Sequence, residues 1–190
     1  MVKVHDFNES LAKSHAAEDL PFWRETYEQA FPKMRAMVNH REDGDHQRAG
    51  IDRSIILENS TTIRIDEKVR YQNSNGRVYE DIALEFLSNK ERKIKGWVNK
   101  PLLCDYIAYA IAPLGVCYLM PVVPLQAAWL RNSKLWACDR SNYRCYAKNR
   151  TDGKEWTTVS LCVPAKVVMM SIHDYFIINF KPVKPLSNEP

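Results

Sequence analysis

The sequence predicts an α/β (α+β) fold in which a mixed central sheet is flanked by helices. Two patterns carry this prediction: apolar residues recur at helical intervals early in the chain, and several later runs alternate with the period of a strand. With 190 residues, of which 45% are hydrophobic and 26% charged, the chain suits one globular domain. We expect that domain over residues 1–181, with a core at about 15–125, a C-terminal α/β extension at about 126–181 and a flexible tail at 182–190.

The first forty residues are predicted to be helical, beginning with "NESLAKSHAAEDL". Phe22, Tyr27 and Phe31 recur at loosely helical intervals, and Pro21 suits the first turn of a helix. Pro32 should end or kink this helix, because proline has no N–H for the next backbone hydrogen bond. The charged stretch "HREDGDHQRAG" that follows is typical of a loop.

Three strands are predicted next, at "IDRSIILEN", "TIRIDEKVR" and "EDIALEFLS". In the second strand, alternation places two sets of side chains on opposite faces: Ile63, Ile65, Glu67 and Val69 on one, and Arg64, Asp66, Lys68 and Arg70 on the other. The dipeptide Asn75-Gly76 is a strong turn signal between the second and third strands.

The rest of the chain is predicted to contain three helices and two strands. "NKPLLCDYIAYAIA" carries apolar residues at helical spacing, and "GVCYLMPVV" is typical of a central strand. A short helix at "PLQAAWLRN", a strand at "EWTTVSLCV" and a helix at "PAKVVMMSI", opened by Pro164, complete the prediction. The predicted core order is therefore helix, three strands, helix, strand.

Composition and missing motifs disfavour several classes of protein. No apolar run approaches the roughly 20 residues that span a bilayer, and the N-terminus lacks the apolar segment of a signal peptide, so we expect a cytoplasmic protein. A net charge of +4, with a pI near 8.7, permits a polyanionic partner without requiring one. The five histidines show no evident metal-ligand spacing, and neither a Ser/His/Asp set nor a phosphate-binding loop is recognisable.

The five cysteines are odd in number and form no CxxC pair, which favours reduced thiols over a disulfide framework. Cys138 and Cys145 are a weak candidate for a zinc site, because structural zinc sites favour tighter ligand pairs.

The spacing of Asp66 and Lys68 predicts a candidate catalytic pair. Residues two apart on a strand share a face, so these two side chains should stand side by side. If the strand at "IDRSIILEN" pairs with this one as a hairpin, the carboxylate of Asp52 approaches that of Asp66 and offers a second hard oxygen donor for Mg²⁺. A metal there suits phosphodiester hydrolysis, with Lys68 orienting water or stabilising charge on the phosphate.

Two short motifs resemble those of a known family. "GIDR" at Gly50–Arg53 and "IDEK" at Ile65–Lys68 are similar to motifs of the RecB-like branch of the PD-(D/E)xK nuclease superfamily. More loosely, "IDEKVR", "YEDIALEF" and "CDYIAYAI" resemble uncharacterised phage or prophage proteins.

The resemblance implies a restriction-endonuclease-like core and a metal-dependent DNA nuclease with Mg²⁺ or Mn²⁺ as cofactor. It also implies DNA as partner and, for a phage protein, action in the host cytoplasm. A homodimer would suit two-strand cleavage by analogy. The alternative is a non-catalytic nucleic-acid-binding or protein-interaction module that retains the nuclease core.

Carried over to this sequence, the resemblance makes Asp52 and Asp66 metal ligands and Lys68 the catalytic lysine. Glu67 is a further candidate ligand, but it shares a face with Lys68 only if the strand bulges there. Its other interpretation is a carboxylate paired with an arginine or a helix N-terminus. The family often adds a residue from the first helix, for which the candidates are His15, Glu18, Glu25 and Glu28.

More distant candidates complete the predicted site. Asp81 and Glu85, on the third predicted strand, would extend the acidic cluster to a second metal, or else belong to a solvated face. Predicted contacts to phosphates come from Arg53, Arg64 and Arg70. The resemblance adds Gln126, because several branches of the superfamily have a glutamine on a later helix that helps to complete the site. Trp129 and Trp136 are candidates for base stacking, although core packing is the more common role of such tryptophans.

Overall fold

The computed structural model describes residues 4–6, 8, 12, 16–72, 75–138 and 140–183. Its described residues divide into two compact units, which are taken separately below. The six-stranded unit comprises Ala17–Glu80, Leu103–Val122 and Asp174–Pro190, and the five-stranded unit comprises Met1–Ala16, Asp81–Leu102 and Val123–His173. The prediction of one domain, with a boundary near residue 125, stays a prediction.

The six-stranded unit is built on one mixed sheet. In spatial order its strands are β11 (Phe176–Asn179), β8 (Val116–Pro121), β7 (Tyr106–Ile111), β4 (Thr62–Arg70), β3 (Arg53–Leu57) and β2 (Met34–Asn39). β2, β3 and β4 form an antiparallel meander, and β7 lies parallel to β4. Because parallel neighbours cannot be joined by a tight turn, the chain makes a long crossover after β4, through segments of the five-stranded unit.

The core of this unit lies between one face of the sheet and helix α1 (Phe22–Ala30). The buried residues of α1 are Phe22, Trp23, Thr26 and Tyr27. The last three lie one, four and five positions after Phe22, so all four form a single stripe along the helix. This stripe packs on sheet residues that include Ile55, Ile65 and Leu119. The Phe22 and Phe180 rings stack with centroids 4.1 Å apart. Burying large aromatics in this way stabilises the unit by roughly 1.5–3 kcal/mol per side chain.

A short helix, α2 (Gly44–Ala49), joins β2 to β3. Asp43 caps its N-terminus by accepting hydrogen bonds from the backbone N–H groups of Asp45 and His46. Gly50 ends it in the left-handed conformation, with φ of 71°, which glycine adopts without strain. The glycine of the "GIDR" motif is therefore the turn that delivers Asp52 to the start of β3.

Among the residues that the structure describes, the five-stranded unit has its own mixed sheet and two helices with assigned bounds. Its strands, in spatial order, are β1 (Val4–Asp6), β9 (Arg144–Thr151), β10 (Lys154–Pro164), β5 (Asp81–Asn89) and β6 (Ile94–Lys95). Its helices are α3, which begins at the end of β8 and spans Val122–Trp136, and α4 (Ala165–Ile172). Trp129 and Trp136 of α3 are buried, which confirms the core interpretation of both tryptophans.

The predicted α/β class is confirmed, as are many of its elements. The structure has a helix that ends before Pro32, strands at the four positions predicted for "IDRSIILEN", "TIRIDEKVR", "EDIALEFLS" and "GVCYLMPVV", and a strand and a helix at "EWTTVSLCV" and "PAKVVMMSI". The helix predicted at "PLQAAWLRN" is longer than expected.

Two helix predictions are wrong. "NKPLLCDYIAYAIA" contains strand β7, which is buried along almost its whole length. A strand buried on both faces has a continuous apolar sequence, and such a run also satisfies helical spacing. Met34–Asn39, included in the helical first forty residues, forms strand β2, because pairing with β3 prevails once Pro32 has ended α1.

The cysteine prediction also needs correction. Cys145 and Cys162 are joined by a disulfide, with their Cα atoms 6.2 Å apart, whereas Cys104, Cys117 and Cys138 are free. Cys145 lies on β9 and Cys162 on β10, and these strands pair, so cysteines 17 positions apart in the chain become neighbours. This pairing leaves Cys145 no thiol for the zinc site considered with Cys138.

None of the helices in the part of the chain that the structure describes has the length and apolar character needed to cross a membrane. The predicted flexible tail at 182–190 lies outside the described residues from 184 onward.

Candidate active site

The hairpin of β3 and β4 brings Asp52 beside Asp66. Asp52 directly precedes β3, and its backbone N–H donates to the carbonyl of Ile65 at 2.9 Å. Its carboxylate Oδ2 accepts a hydrogen bond from the backbone N–H of Glu67 at 2.7 Å. These two bonds hold the Asp52 side chain against the middle of β4, where its charge adds to the rise in the pKa of Asp66.

Lys68 completes a group of three with these acids. Its Nζ donates to Oδ1 of Asp66, which is 3% exposed. The two residues are two positions apart on β4, so they share a face as the alternation predicts. The structure thus brings together Asp52, Asp66 and Lys68, while their catalytic role stays a prediction.

Burial and neighbouring charges set the protonation of this group. Burial raises the pKa of Asp66 to about 7; Lys68 opposes this shift and the carboxylate of Asp52 adds to it. Burial lowers the pKa of Lys68, but Asp66 and Asp52 outweigh it and leave that pKa above its ordinary value. Two neighbouring carboxyl groups, of which Asp66 is buried and Asp52 is partly exposed, therefore favour a proton or a cation between them.

Glu67 points to the opposite face of β4. Its carboxylate accepts two hydrogen bonds from the Arg53 guanidinium, at 2.5 and 3.1 Å, and one from the Tyr27 hydroxyl at 2.6 Å. Burial raises the pKa of Glu67, against the lowering effect of Arg53. Pairing with an arginine was one interpretation of this residue, and the geometry agrees with it; a role as metal ligand is disfavoured.

The first-helix candidates have other partners. The Glu18 carboxylate pairs with Arg41 at 2.8 Å, and its backbone carbonyl accepts from Arg53 at 2.8 Å. Glu25 and Glu28 are on the exposed face of α1, where they contact Gln29 and Arg24 of their own helix. His15 lies outside the described residues.

Asp81, Glu85 and Gln126 belong to the five-stranded unit. Asp81 and Glu85 lie on β5, whose antiparallel partner is β10, so they are not on the sheet that carries Asp52 and Asp66. The side chain of Gln126, on α3, donates to the carbonyl of Lys100 at 3.0 Å. A second metal at Asp81 and Glu85 and a DNA contact by Gln126 stay predictions.

The three candidate arginines differ in exposure. Arg53 is buried against Glu67, and this pairing disfavours its predicted contact with a phosphate. Arg64 is exposed and forms an ion pair with Asp105 at 3.0 Å. The guanidinium of Arg70 lies over the ring of Tyr79, 5.2 Å from its centroid.

Two further residues next to the acids were not identified from the sequence. Tyr27 donates to Glu67 from across the sheet–helix interface, and its periodicity marks only a core position. Cys104 is the other: burial, and to a smaller extent the carboxylate of Asp66, raise the pKa of its thiol to about 12. No local pattern places either residue, because each contact joins distant parts of the chain.

The prediction that the histidines have no metal-ligand spacing is also wrong. His40, Asp43 and His46 each offer a ligand atom, and the three atoms lie within 4.8 Å of one another. The spacing of three residues was obscured because the segment was interpreted as a loop, whereas Asp43 caps a helix that contains His46.

The donor set of Asp52 and Asp66 fits a hard divalent cation. Carboxylate oxygens are preferred ligands of Mg²⁺ and Mn²⁺. A cation would offset both the burial of the Asp66 charge, which is the main cause of its raised pKa, and its repulsion by Asp52. Comparison of this chain with protein-family models, with curated proteins and with solved structures finds no match.

Proposed function

We propose that this protein is a metal-dependent deoxyribonuclease that hydrolyses phosphodiester bonds. The observation that carries the proposal is the geometry of the β3–β4 hairpin, which holds Asp52 against β4 beside Asp66 while Lys68 donates to Asp66. Paired acids with an adjacent lysine suit in-line hydrolysis of a phosphate, because they combine a cation site with a fixed positive charge.

Asp52 and Asp66 would hold the cation, Mg²⁺ or Mn²⁺. Bound there, it would neutralise a DNA phosphate and acidify a water molecule. The hydrogen bond from the Glu67 backbone fixes one carboxylate, and Lys68 fixes the other, so neither acid needs to reorganise when a substrate arrives.

Lys68 would act on the attacking water or on the charge that develops at the phosphate. Its amino group is held as a cation by the two acids, which raise its pKa above the ordinary value against the effect of burial. A charged lysine donates protons and cannot accept one, so its role is electrostatic and orienting rather than that of a general base.

The order of elements in the six-stranded unit supports a restriction-endonuclease-like core as part of the proposal. Helix α1 precedes the antiparallel strands β2, β3 and β4, and the next strand of the same sheet, β7, is parallel to β4. Asp52 directly precedes the second of these strands, and Asp66 lies on the third. The core predicted from the sequence differs from this order: it has β3, β4 and β5 as its three strands and a helix at the position of β7, whereas β5 belongs to the other sheet and β7 is a strand.

DNA is the proposed substrate, with Arg64 and Arg70 as contacts to its phosphates. Both extend from the same face of β4 as Asp66 and Lys68, by strand alternation. A phage or prophage setting, a site of action in the host cytoplasm and a homodimer belong to the proposal through the resemblance alone.

The experiment is a cleavage screen with purified protein. Single-stranded, duplex and branched DNA are incubated in Mg²⁺, Mn²⁺ or EDTA with the wild type and with Asp66→Ala. Cleavage by the wild type in a metal, lost in EDTA and in the variant, is the expected result. Binding of DNA without cleavage under any condition would favour the non-catalytic alternative.

A further inference from the structure

A second group of potential metal ligands lies where β2 leads into α2. His40 follows β2, Asp43 caps α2, and His46 is in its first turn. One ligand atom from each comes within 4.8 Å of the other two. We propose that His40, Asp43 and His46 form a binding site for a transition-metal ion of the Zn²⁺ type. The proposal is independent of the nuclease proposal, since it uses different residues and a different class of metal.

The backbone brings the three residues together before any ion binds. The N–H of Asp43 donates to the carbonyl of His40 at 2.9 Å, which closes a turn between them. Asp43 Oδ1 accepts from the backbone N–H groups of Asp45 and His46, at 3.0 and 3.2 Å, and its Oδ2 lies 2.7 Å from Nδ1 of His46. The carboxylate is thereby fixed beside one imidazole with an oxygen directed at it.

Helix capping accounts for Asp43 and His46 but not for His40. The ring of His40 lies on that of His46, with centroids 3.9 Å apart and planes 2° from parallel. The His40 ring is also positioned by Ser54, whose Oγ lies 2.8 Å from Nε2 of His40. Ser54 is buried, at 7% exposed. Metal-binding histidines commonly have a hydrogen bond at the ring nitrogen that does not bind the metal, because this bond sets the orientation of the ring.

The donor set selects the class of metal. Two imidazoles and one carboxylate suit Zn²⁺, Co²⁺ or Ni²⁺, whereas Mg²⁺ prefers oxygen ligands alone. Ligands bound to zinc at about 2.0–2.2 Å are about 3.4 Å apart in a tetrahedron, so the rings must tilt out of their stack to share an ion. The side chains of His46 and Asp43 are 39% and 45% exposed, which gives them room to move and gives an ion access.

The test is a titration of the full chain with Zn²⁺, competed against a chromogenic chelator, and with Co²⁺, followed by its visible absorption. Both are performed on an Asp66→Asn background, so that the Asp52–Asp66 pair contributes no binding. One equivalent of each metal should bind. His40→Gln, His46→Gln and Asp43→Asn should each weaken binding at least about tenfold, since losing a ligand costs no less than losing its supporting hydrogen bond.

Matched controls separate ligand loss from damage to the fold. Asparagine is also a good helix cap, so Asp43→Asn retains the start of α2 while removing the charge. Asp45→Asn removes a neighbouring acid and His173→Asn removes a histidine of the five-stranded unit, and both variants should bind Zn²⁺ as the background protein does. No binding by the background protein, or equal binding by the His40 and His46 variants, overturns the proposal.

Discussion

Asp66 and Glu67 are adjacent in the chain, and their carboxyl groups lie on opposite faces of β4. Asp66 contacts Lys68 and Asp52, whereas Glu67 is bound by Arg53 and Tyr27 on the side of helix α1. The two acids therefore have separable roles in our account. Asp66 belongs to the proposed chemistry, and Glu67 to the stability of the core.

Glu67→Gln should destabilise the protein strongly. The substitution leaves Arg53, whose side chain is 6% exposed, without a countercharge in the core. Breaking one partner of a buried ion pair costs about 3–5 kcal/mol. Guanidinium unfolding should show this loss in the free energy of unfolding, while Glu58→Gln, at an exposed acid of the same hairpin, should change it by less than about 0.5 kcal/mol. Equal effects of the two variants would contradict the assignment.

Tyr27→Phe should destabilise the same network by a smaller amount. It removes one hydroxyl that donates to Glu67 at 2.6 Å and leaves the ring packed in the core. A hydrogen bond to a charged group contributes about 1.5–3 kcal/mol. Combined with Glu67→Gln, its cost should be less than additive, because the two residues share one interaction. Full additivity in a double-mutant cycle would show that the bond contributes nothing.

Without a divalent cation, stability should fall as the pH rises from about 4 towards 7. The pKa of Asp66 is about 7 in the folded protein, raised mainly by burial, so the folded chain retains a proton that the unfolded chain releases. The stabilisation that this proton provides is complete below the ordinary pKa of an aspartate, and it is lost as the pH rises through the pKa of Asp66 in the folded protein. Between these two pKa values, the free energy of unfolding should fall by up to about 1.4 kcal/mol per pH unit.

Unfolding in EDTA at pH 4, 5, 6, 7 and 8 measures this dependence, with Asp66→Asn as the comparison. The free energy of unfolding of the variant, relative to that of the wild type, should increase up to pH 7 and then stay constant. A constant difference over the whole range would contradict a raised pKa at Asp66.

Much of the site geometry follows from strand alternation alone. The period of two places Asp66 and Lys68 on one face and Glu67 on the other, and the hairpin of β3 with β4 brings Asp52 close. What alternation cannot show is the partner of each face. Arg53 is interpreted from the sequence as a phosphate contact, but in the structure it meets Glu67, 14 positions away, inside the core.

Prediction of the fold succeeds where the apolar periodicity fits one type of element. It fails where the same apolar run fits both a helix and a strand. Strand β4 alternates between apolar and polar residues and was identified. Strand β7 is buried from Ile107 to Ile111 and so has no polar face to reveal its period. Likewise, the disulfide and the histidine cluster depend on strand pairing and on a helix cap, which spacing in the chain does not show.

Lys68→Met should reduce DNA cleavage while leaving DNA binding nearly unchanged. Methionine retains the length of the side chain but removes the charge that we propose acts on the reacting phosphate or water. The expected loss in the single-turnover rate is about 10²–10⁴-fold. A loss that appears only as weaker DNA affinity in a filter-binding measurement would assign Lys68 to binding instead.

The most direct test of the central claim is the single-turnover rate of DNA cleavage in Mg²⁺ or Mn²⁺ by Asp52→Asn and Asp66→Asn. Thermal unfolding verifies that both variants fold, and Glu58→Gln serves as a control acid-to-amide change. We expect the wild type and the control to cleave at equal rates, and both site variants to lose at least about 10²-fold. Cleavage by either site variant at the wild-type rate would contradict the account.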